Sequence, residues 1–130
     1  MSQILLIEPD ALLAATYRLA LESAGYAVRV AAAAQAAISM ADELQPDLVV
    51  MELQLVGHNG MEFLYEFRSY ADWQAIPVLV ISQVPPGVFA DSWDVLTIHL
   101  GVRQYLHKPR TSLASLLSMV QAVLDGGGVA

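Results

Sequence analysis

Four side chains able to share charge or carry group chemistry stand at the ends of short apolar runs. Glu8 closes Ile4 to Ile7, Glu52 closes Leu48 to Met51, Ser82 closes Val78 to Ile81, and Lys108 follows Val102 to Leu106. Two acids, a hydroxyl and an amine can hold ion pairs and charge-assisted hydrogen bonds once they are brought together. Other reactive types are less organised. His58, His99 and His107 lack the short fixed spacing of a ligand pair and read as isolated structural or surface residues. Trp73 and Trp93 read as packing residues or surface anchors, and with no cysteine in the chain there is neither disulfide nor thiolate chemistry.

The elements that would gather these residues follow from hydrophobic patterning. The runs Ile4 to Ile7 and Leu48 to Met51 are too short for helices and lack polar alternation, as strands buried on both faces do. Val78 to Ile81 after Pro77 is a third such run, with weaker ones at Ala27 to Val30 and Val102 to Leu106. Helical spacing fills the gaps. One stretch, Ala11 to Ala24 with Leu12, Leu13, Leu19 and Leu21 among its apolar positions, stops at Gly25, and a second runs from Ala34 to Leu44 before Pro46. The alanines at 31 to 34 mark the junction between strand and helix. A third helix follows Gly60 with Met61, Phe63, Leu64 and Phe67 on one face, a fourth falls between Val88 and Leu100, and a fifth spans Ser112 to Leu124. Its stripe is Leu113, Leu116, Leu117, Val120, Val123 and Leu124. Five strands alternating with five helices through right-handed crossovers predict a doubly wound, flavodoxin-like α/β fold with a parallel sheet. Ligands of such sheets bind beyond the carboxyl ends of the strands, where these four residues lie.

Composition narrows the function classes. A chain of 130 residues accommodates one domain, read as 1–125, with 126–130 a Gly-rich tail or the start of a linker. Hydrophobic residues at 56% against 15% charged ones imply a packed core rather than disorder. A net charge of -7, from six Lys and Arg against thirteen Asp and Glu, leaves no basic patch for nucleic acid. The opening MSQILLIEPD has no basic flank and an acidic break, so neither a signal peptide nor a membrane span is expected, and a cytoplasmic location is.

The strand ends and their surroundings resemble the receiver domain of two-component response regulators along nearly the whole chain. ILLIEPD is similar to the first strand and acidic pair of that family, and PDLVVMELQLVGHNGMEFL to the stretch around its phosphoacceptor. IPVLVIS and QYLHKPR are similar to its last two strands. The resemblance implies transfer of a phosphoryl group from a histidine kinase to an aspartate beside Mg²⁺, with a hydroxyl and a lysine on the phosphate and an aromatic in the fifth strand following the switch. By position the acceptor falls on Glu52, the hydroxyl on Ser82, the lysine on Lys108 and the aromatic on Tyr105; the carbonyl ligand of the metal falls on Gln54.

Two departures bear on that chemistry. Pro9 stands where the family has its second metal-binding acid, and Mg²⁺ needs near-octahedral oxygen ligation that proline's side chain cannot supply. Asp10 is either a substitute ligand or the N-cap of the first helix, and its type and position favour the cap. Glu52 replaces the acceptor aspartate, and an added methylene moves its carboxylate about 1.5 Å, where misplacement by about 1 Å costs on the order of a hundredfold in rate. Mg²⁺ binding is therefore expected to be weak or absent, with Glu8, Glu52 and Gln54 the residual candidates, and no cofactor is expected. The longer carboxylate either reaches Lys108 or Ser82 and imitates a permanent signal, or merely satisfies Lys108 in an inert state. Gln83, in place of a small residue, is expected to cover the pocket; Val56 replaces a common proline, and Pro85 and Pro86 stiffen the segment that moves in the family.

Between Thr111 and Asp125 the last helix carries no charge, and Ala114, Ser115, Ser118, Met119, Gln121 and Ala122 are expected on its outer face. That face, with Tyr105, is either a contact surface of the kind the family forms from its fourth helix, fifth strand and fifth helix, homodimers included, or simply bland. The expected function is an atypical pseudo-receiver: a non-enzymatic signalling module that contacts other signalling proteins such as a kinase, output domain or effector. The alternatives are a working phosphoacceptor and an architectural dimerisation domain.

Overall fold

The computed structural model describes residues 1–126. Five parallel strands form one sheet in the order β2-β1-β3-β4-β5, with β1 Gln3–Ile7, β2 Ala27–Ala31, β3 Leu48–Met51, β4 Val78–Ser82 and β5 Val102–His107. Alternation sorts each buried strand between two cores. Leu5, Ile7, Val49, Met51, Val78 and Val80 face α2 (Ala34–Glu43) and α3 (Gly60–Ser69), whereas Ile4, Leu6, Leu48, Val50, Leu79 and Ile81 face α1 (Ala11–Ser23) and α4 (Leu113–Leu124). The doubly wound expectation is met, and the expected Gly-rich tail, 126–130, lies from residue 127 onward outside the described residues.

The fourth expected helix is not a regular α-helix. A 3₁₀ segment, Pro86–Ser92, is kinked at Phe89 and leads through Trp93 and Asp94 into a π turn, Val95–His99. Neither piece has a side-chain N-cap, and Pro85 and Pro86 remove two backbone donors from the start. The expected fifth helix is α4, which Ser112 caps by accepting from the Ser115 N–H at 3.1 Å.

Two expectations for the last helix need correction, and two apolar positions of α1 face outward. Leu12 and Leu19 are 80% and 66% exposed, because α1 buries Ala14, Tyr17 and Leu21 and its turn carries the two leucines to the opposite side. Leu113 does not join the α4 stripe of Leu116, Val120 and Val123; it occupies the first turn, beyond the sheet, and stays exposed. Met119 and Ala122 are half-buried rather than outward, and Met119 packs on the α1 core, leaving Ala114, Ser115, Ser118 and Gln121 exposed.

Candidate functional site

The chain leaves β1 to one side for β2 and to the other for β3, so the order reverses beside β1, at the crevice between β1 and β3. Glu8 and Glu52 sit on either side of that crevice. Their backbones extend the ladder, Glu8 N–H donating to the Ala31 carbonyl and Glu52 N–H to the Ile7 carbonyl, each at 3.0 Å. Ser82 ends β4 and Lys108 follows β5, so the four predicted residues do converge. All four side chains are buried, the Lys108 side chain being 6% exposed.

The loop after Glu52 depends on two glycines. Gly57 has φ of +80°, a conformation side chains rarely adopt, and a Cβ on Gly60 would lie 2.7 Å from the Leu53 backbone. Asn59 then caps α3 by accepting from the Glu62 N–H at 2.9 Å, while Gln54 pairs antiparallel with Asn59 across the loop.

Glu52 is the hub. Its Oε2 accepts from the backbone N–H groups of Leu53 at 2.7 Å and Gln54 at 3.1 Å and from the Ser82 hydroxyl. Its Oε1 accepts from the Gln83 N–H at 3.0 Å and the Lys108 ammonium at 2.7 Å. The same ammonium stands 2.6 Å from Glu8 Oε1, and Glu8 Oε2 accepts from the Asp10 N–H at 3.1 Å. Burial is the largest single influence on the Glu52 carboxyl and raises its pKa, but the bonds from Lys108, Ser82, Gln54 and Gln83 outweigh it and hold the group below its ordinary value. Burial likewise works to lower Lys108, and the hydrogen bonds and charges of Glu52 and Glu8 reverse this, so that Lys108 titrates above its ordinary value.

From Glu52 a relay leads away from the pocket. Ser82 Oγ, donating to Glu52, accepts from the Val84 N–H at 3.0 Å, and the Val84 carbonyl accepts from the Tyr105 hydroxyl at 2.6 Å. The Tyr105 ring lies between Phe89 and Trp93, with centroids 6.0 and 5.9 Å away. Burial raises the Tyr105 pKa and keeps its hydroxyl a donor. His107 adds a tie that its isolated position in the sequence hid: its Nε2 stands 3.1 Å from the Gln83 carbonyl, which can only accept, so Nε2 carries the proton. Tyr17, also not anticipated, lines a hollow beside Lys108 with Leu13 and Leu113.

The implied Mg²⁺ does not fit these residues. The ion needs near-octahedral oxygen ligands. Pro9 offers no side-chain oxygen, Asp10 Oδ1 is committed to the Leu13 N–H at 3.0 Å as the cap of α1, and an ammonium already bridges Glu8 and Glu52. Among the described residues, no group of three or more His, Asp or Glu is placed to hold a metal ion. Gln83 contributes to the pocket through its backbone N–H, although the sequence singled out its side chain.

Comparison with known proteins identifies the family. The family model described as the response regulator receiver domain matches residues 4–121. The chain belongs to the response regulator receiver family. It is 30% identical over 109 residues to the KDP operon transcriptional regulatory protein KdpE of Escherichia coli, an alignment covering 84% of this chain and 45% of KdpE. It is 29% identical over 106 residues to Protein PilH of Pseudomonas aeruginosa, covering 82% of this chain and 84% of PilH. The chemotaxis response regulator CheY4 of Vibrio cholerae shares the fold, with a TM-score of 0.83 at 22% identity over 95% of this chain and 98% of CheY4. Receiver domains are signalling modules of two-component systems, and this receiver spans less than half of KdpE. Among the described residues, no helix is long and apolar enough to cross a membrane.

Proposed function

We propose that this receiver is a pseudo-receiver, a protein-contact module of a two-component or phosphorelay pathway in which the Glu52 carboxylate stands in for a phosphorylated acceptor. One observation carries this: Glu52 receives five donors, Ser82 and Lys108 among them, the hydroxyl and the lysine that contact phosphate in the family. The oxygens of Glu52 take up the bonds that a phosphoryl group would otherwise receive. Both oxygens are engaged by donors, the ammonium among them, so the carboxylate is a poor nucleophile. Ser82 is drawn to Glu52, and through Val84 the same bonds bias Tyr105, the aromatic that follows the switch in the family, toward this arrangement. Of the two readings of Glu52, the permanent signal is thus favoured over inert satisfaction of Lys108. Output passes through β5 and α4, where Ala114, Ser115 and Ser118 offer an uncharged exposed surface to a signalling partner.

The test is intact mass after incubation with acetyl phosphate and Mg²⁺. The native chain is expected to keep its mass. The double variant Pro9→Asp/Glu52→Asp, which restores both carboxylates of the family pattern, is expected to gain one phosphoryl group. A stoichiometric phosphoryl on native Glu52 overturns the proposal.

A further inference from the structure

We propose that the cleft between the loop after β3 and the segment after β4 binds a neutral, largely apolar small molecule, and that this ligand acts on the Tyr105 relay. The cleft measures about 550 Å³, within the range of roughly 300–1,000 Å³ usual for organic ligands. Leu53, Leu55 and Met61 form one wall, and Val84 and Phe89 form the other. Mostly apolar walls with a few polar groups are the usual make-up of such sites.

The charges around it select the ligand. Its titratable lining groups are His58 and Glu62, which face each other across 3.5 Å at an exposed rim. No Lys or Arg lines it among the described residues, in a chain of net charge -7. An anion between the apolar walls would lose water with neither Lys nor Arg to compensate, and the Glu62 carboxylate at the rim would repel it, which disfavours phosphates, sulfonates and carboxylates. Asn59 Oδ1 accepts from the Glu62 N–H, so the Asn59 side-chain NH₂ and the Gln54 amide are the groups left to orient a carbonyl or hydroxyl of the ligand.

The position supplies the consequence. Gln54 donates its N–H to Glu52, Val84 joins Ser82 to Tyr105, and the Phe89 ring faces the Tyr105 ring at 6.0 Å. A molecule spanning the cleft touches Gln54 at one end of that chain of bonds and Val84 and Phe89, the neighbours of Tyr105, at the other, so any differential affinity for one arrangement of Tyr105 becomes a shift in its population. Signal input through the cleft requires neither metal nor phosphoryl transfer and stands independently of whether Glu52 can be phosphorylated.

Two dyes of the same aromatic skeleton provide the test: neutral phenylnaphthylamine and its sulfonated analogue, anilinonaphthalene sulfonate. Titration of the full chain followed by dye fluorescence is expected to show saturable binding of the neutral dye, with the sulfonate weaker by about tenfold or more. Leu55→Lys is expected to weaken the neutral dye and narrow that gap. Should the variant unfold, amide chemical shifts of the native chain decide the location, with changes expected at 53–61 and 84–89. Failure of the neutral dye to saturate, equal affinity of the two dyes, or shifts centred on the hollow beside Tyr17 and Lys108 would each reject the cleft as this site.

Discussion

The carboxyl ends of β1, β3, β4 and β5 and the segment 86–99, which connects β4 to β5, are built in opposite ways. At the strand ends, Glu8, Glu52, Ser82 and Lys108 are buried and interlocked, with Glu52 accepting five hydrogen bonds. In the segment the backbone changes from 3₁₀ to π, the helix starts lack side-chain caps, and Val88 and Ile98 are 68% and 71% exposed. Tyr105 joins the two, with its hydroxyl on Val84 and its ring between Phe89 and Trp93. On the proposed reading, one region holds fixed charge in place of a chemical input, while the other, anchored by the buried Leu96, has the irregular and partly exposed backbone from which moving elements are drawn.

The most severe way to break the contrast is Lys108→Met, which keeps the length of the side chain and removes its charge. Glu8 and Glu52 are then buried without their shared cation, and the expected cost is about 3–5 kcal/mol in urea unfolding. A cost under about 1 kcal/mol would mean that the pair is no more than a surface ion pair in solution.

Glu52→Gln follows, at about 1.5–3 kcal/mol, the worth of hydrogen bonds to a charged group. Its pH dependence carries more information. The folded pKa of Glu52 is depressed, so its contribution is fully present above the ordinary value of 4.5 and is lost as pH falls through the lower folded value. The folded pKa of Lys108 is raised, so its contribution is present below 10.5 and is lost as pH rises through the higher folded value. Urea midpoints measured against pH are expected to fall in both limbs for the native chain. In the glutamine variant the acid limb flattens.

Much of this was legible in the sequence, for identifiable reasons. Strands buried on both faces appear as unbroken apolar runs, and the polar residue that ends each run marks the edge where a doubly wound fold places its site. Glu8, Glu52, Ser82 and Lys108 were found that way, and Pro9 and Glu52 stood out as departures from the family pattern. Hidden from the sequence were the partners supplied by the backbone. The N–H groups of Leu53, Gln54 and Gln83 and the carbonyl of Val84 belong to the peptide unit, which every residue has, so no residue type announces them. The irregular fourth helix was hidden as well, because Val88, Phe89, Val95 and Leu96 supply helical hydrophobicity while Pro85 and Pro86 disturb its start. Leu12 and Leu19 show the opposite failure, where residue type points inward and the phase set by Ala14, Tyr17 and Leu21 turns them out.

Tyr105→Phe probes the link between the two regions. Loss of the bond to Val84 is expected to cost about 0.5–1.5 kcal/mol, with the ring contacts retained. Combined with Glu52→Gln in a double-mutant cycle, it is expected to show a coupling of about 0.5 kcal/mol or more, since the two residues share one chain of hydrogen bonds. Additive costs would sever the proposed route from Glu52 to Tyr105.

The smallest effect belongs to the open region. Ile98→Ala removes a side chain that is 71% exposed, so its stability cost is expected to stay within about 0.5 kcal/mol. Amides of 87–99 are expected to exchange with solvent faster than those of Leu53 and Gln83, which donate to Glu52. If instead Ile98→Ala cost more than about 2 kcal/mol, the residue would have to be packed in solution. The segment would then be as fixed as the strand ends, leaving Tyr105 joined to two rigid bodies and a ligand in the neighbouring cleft with nothing to move.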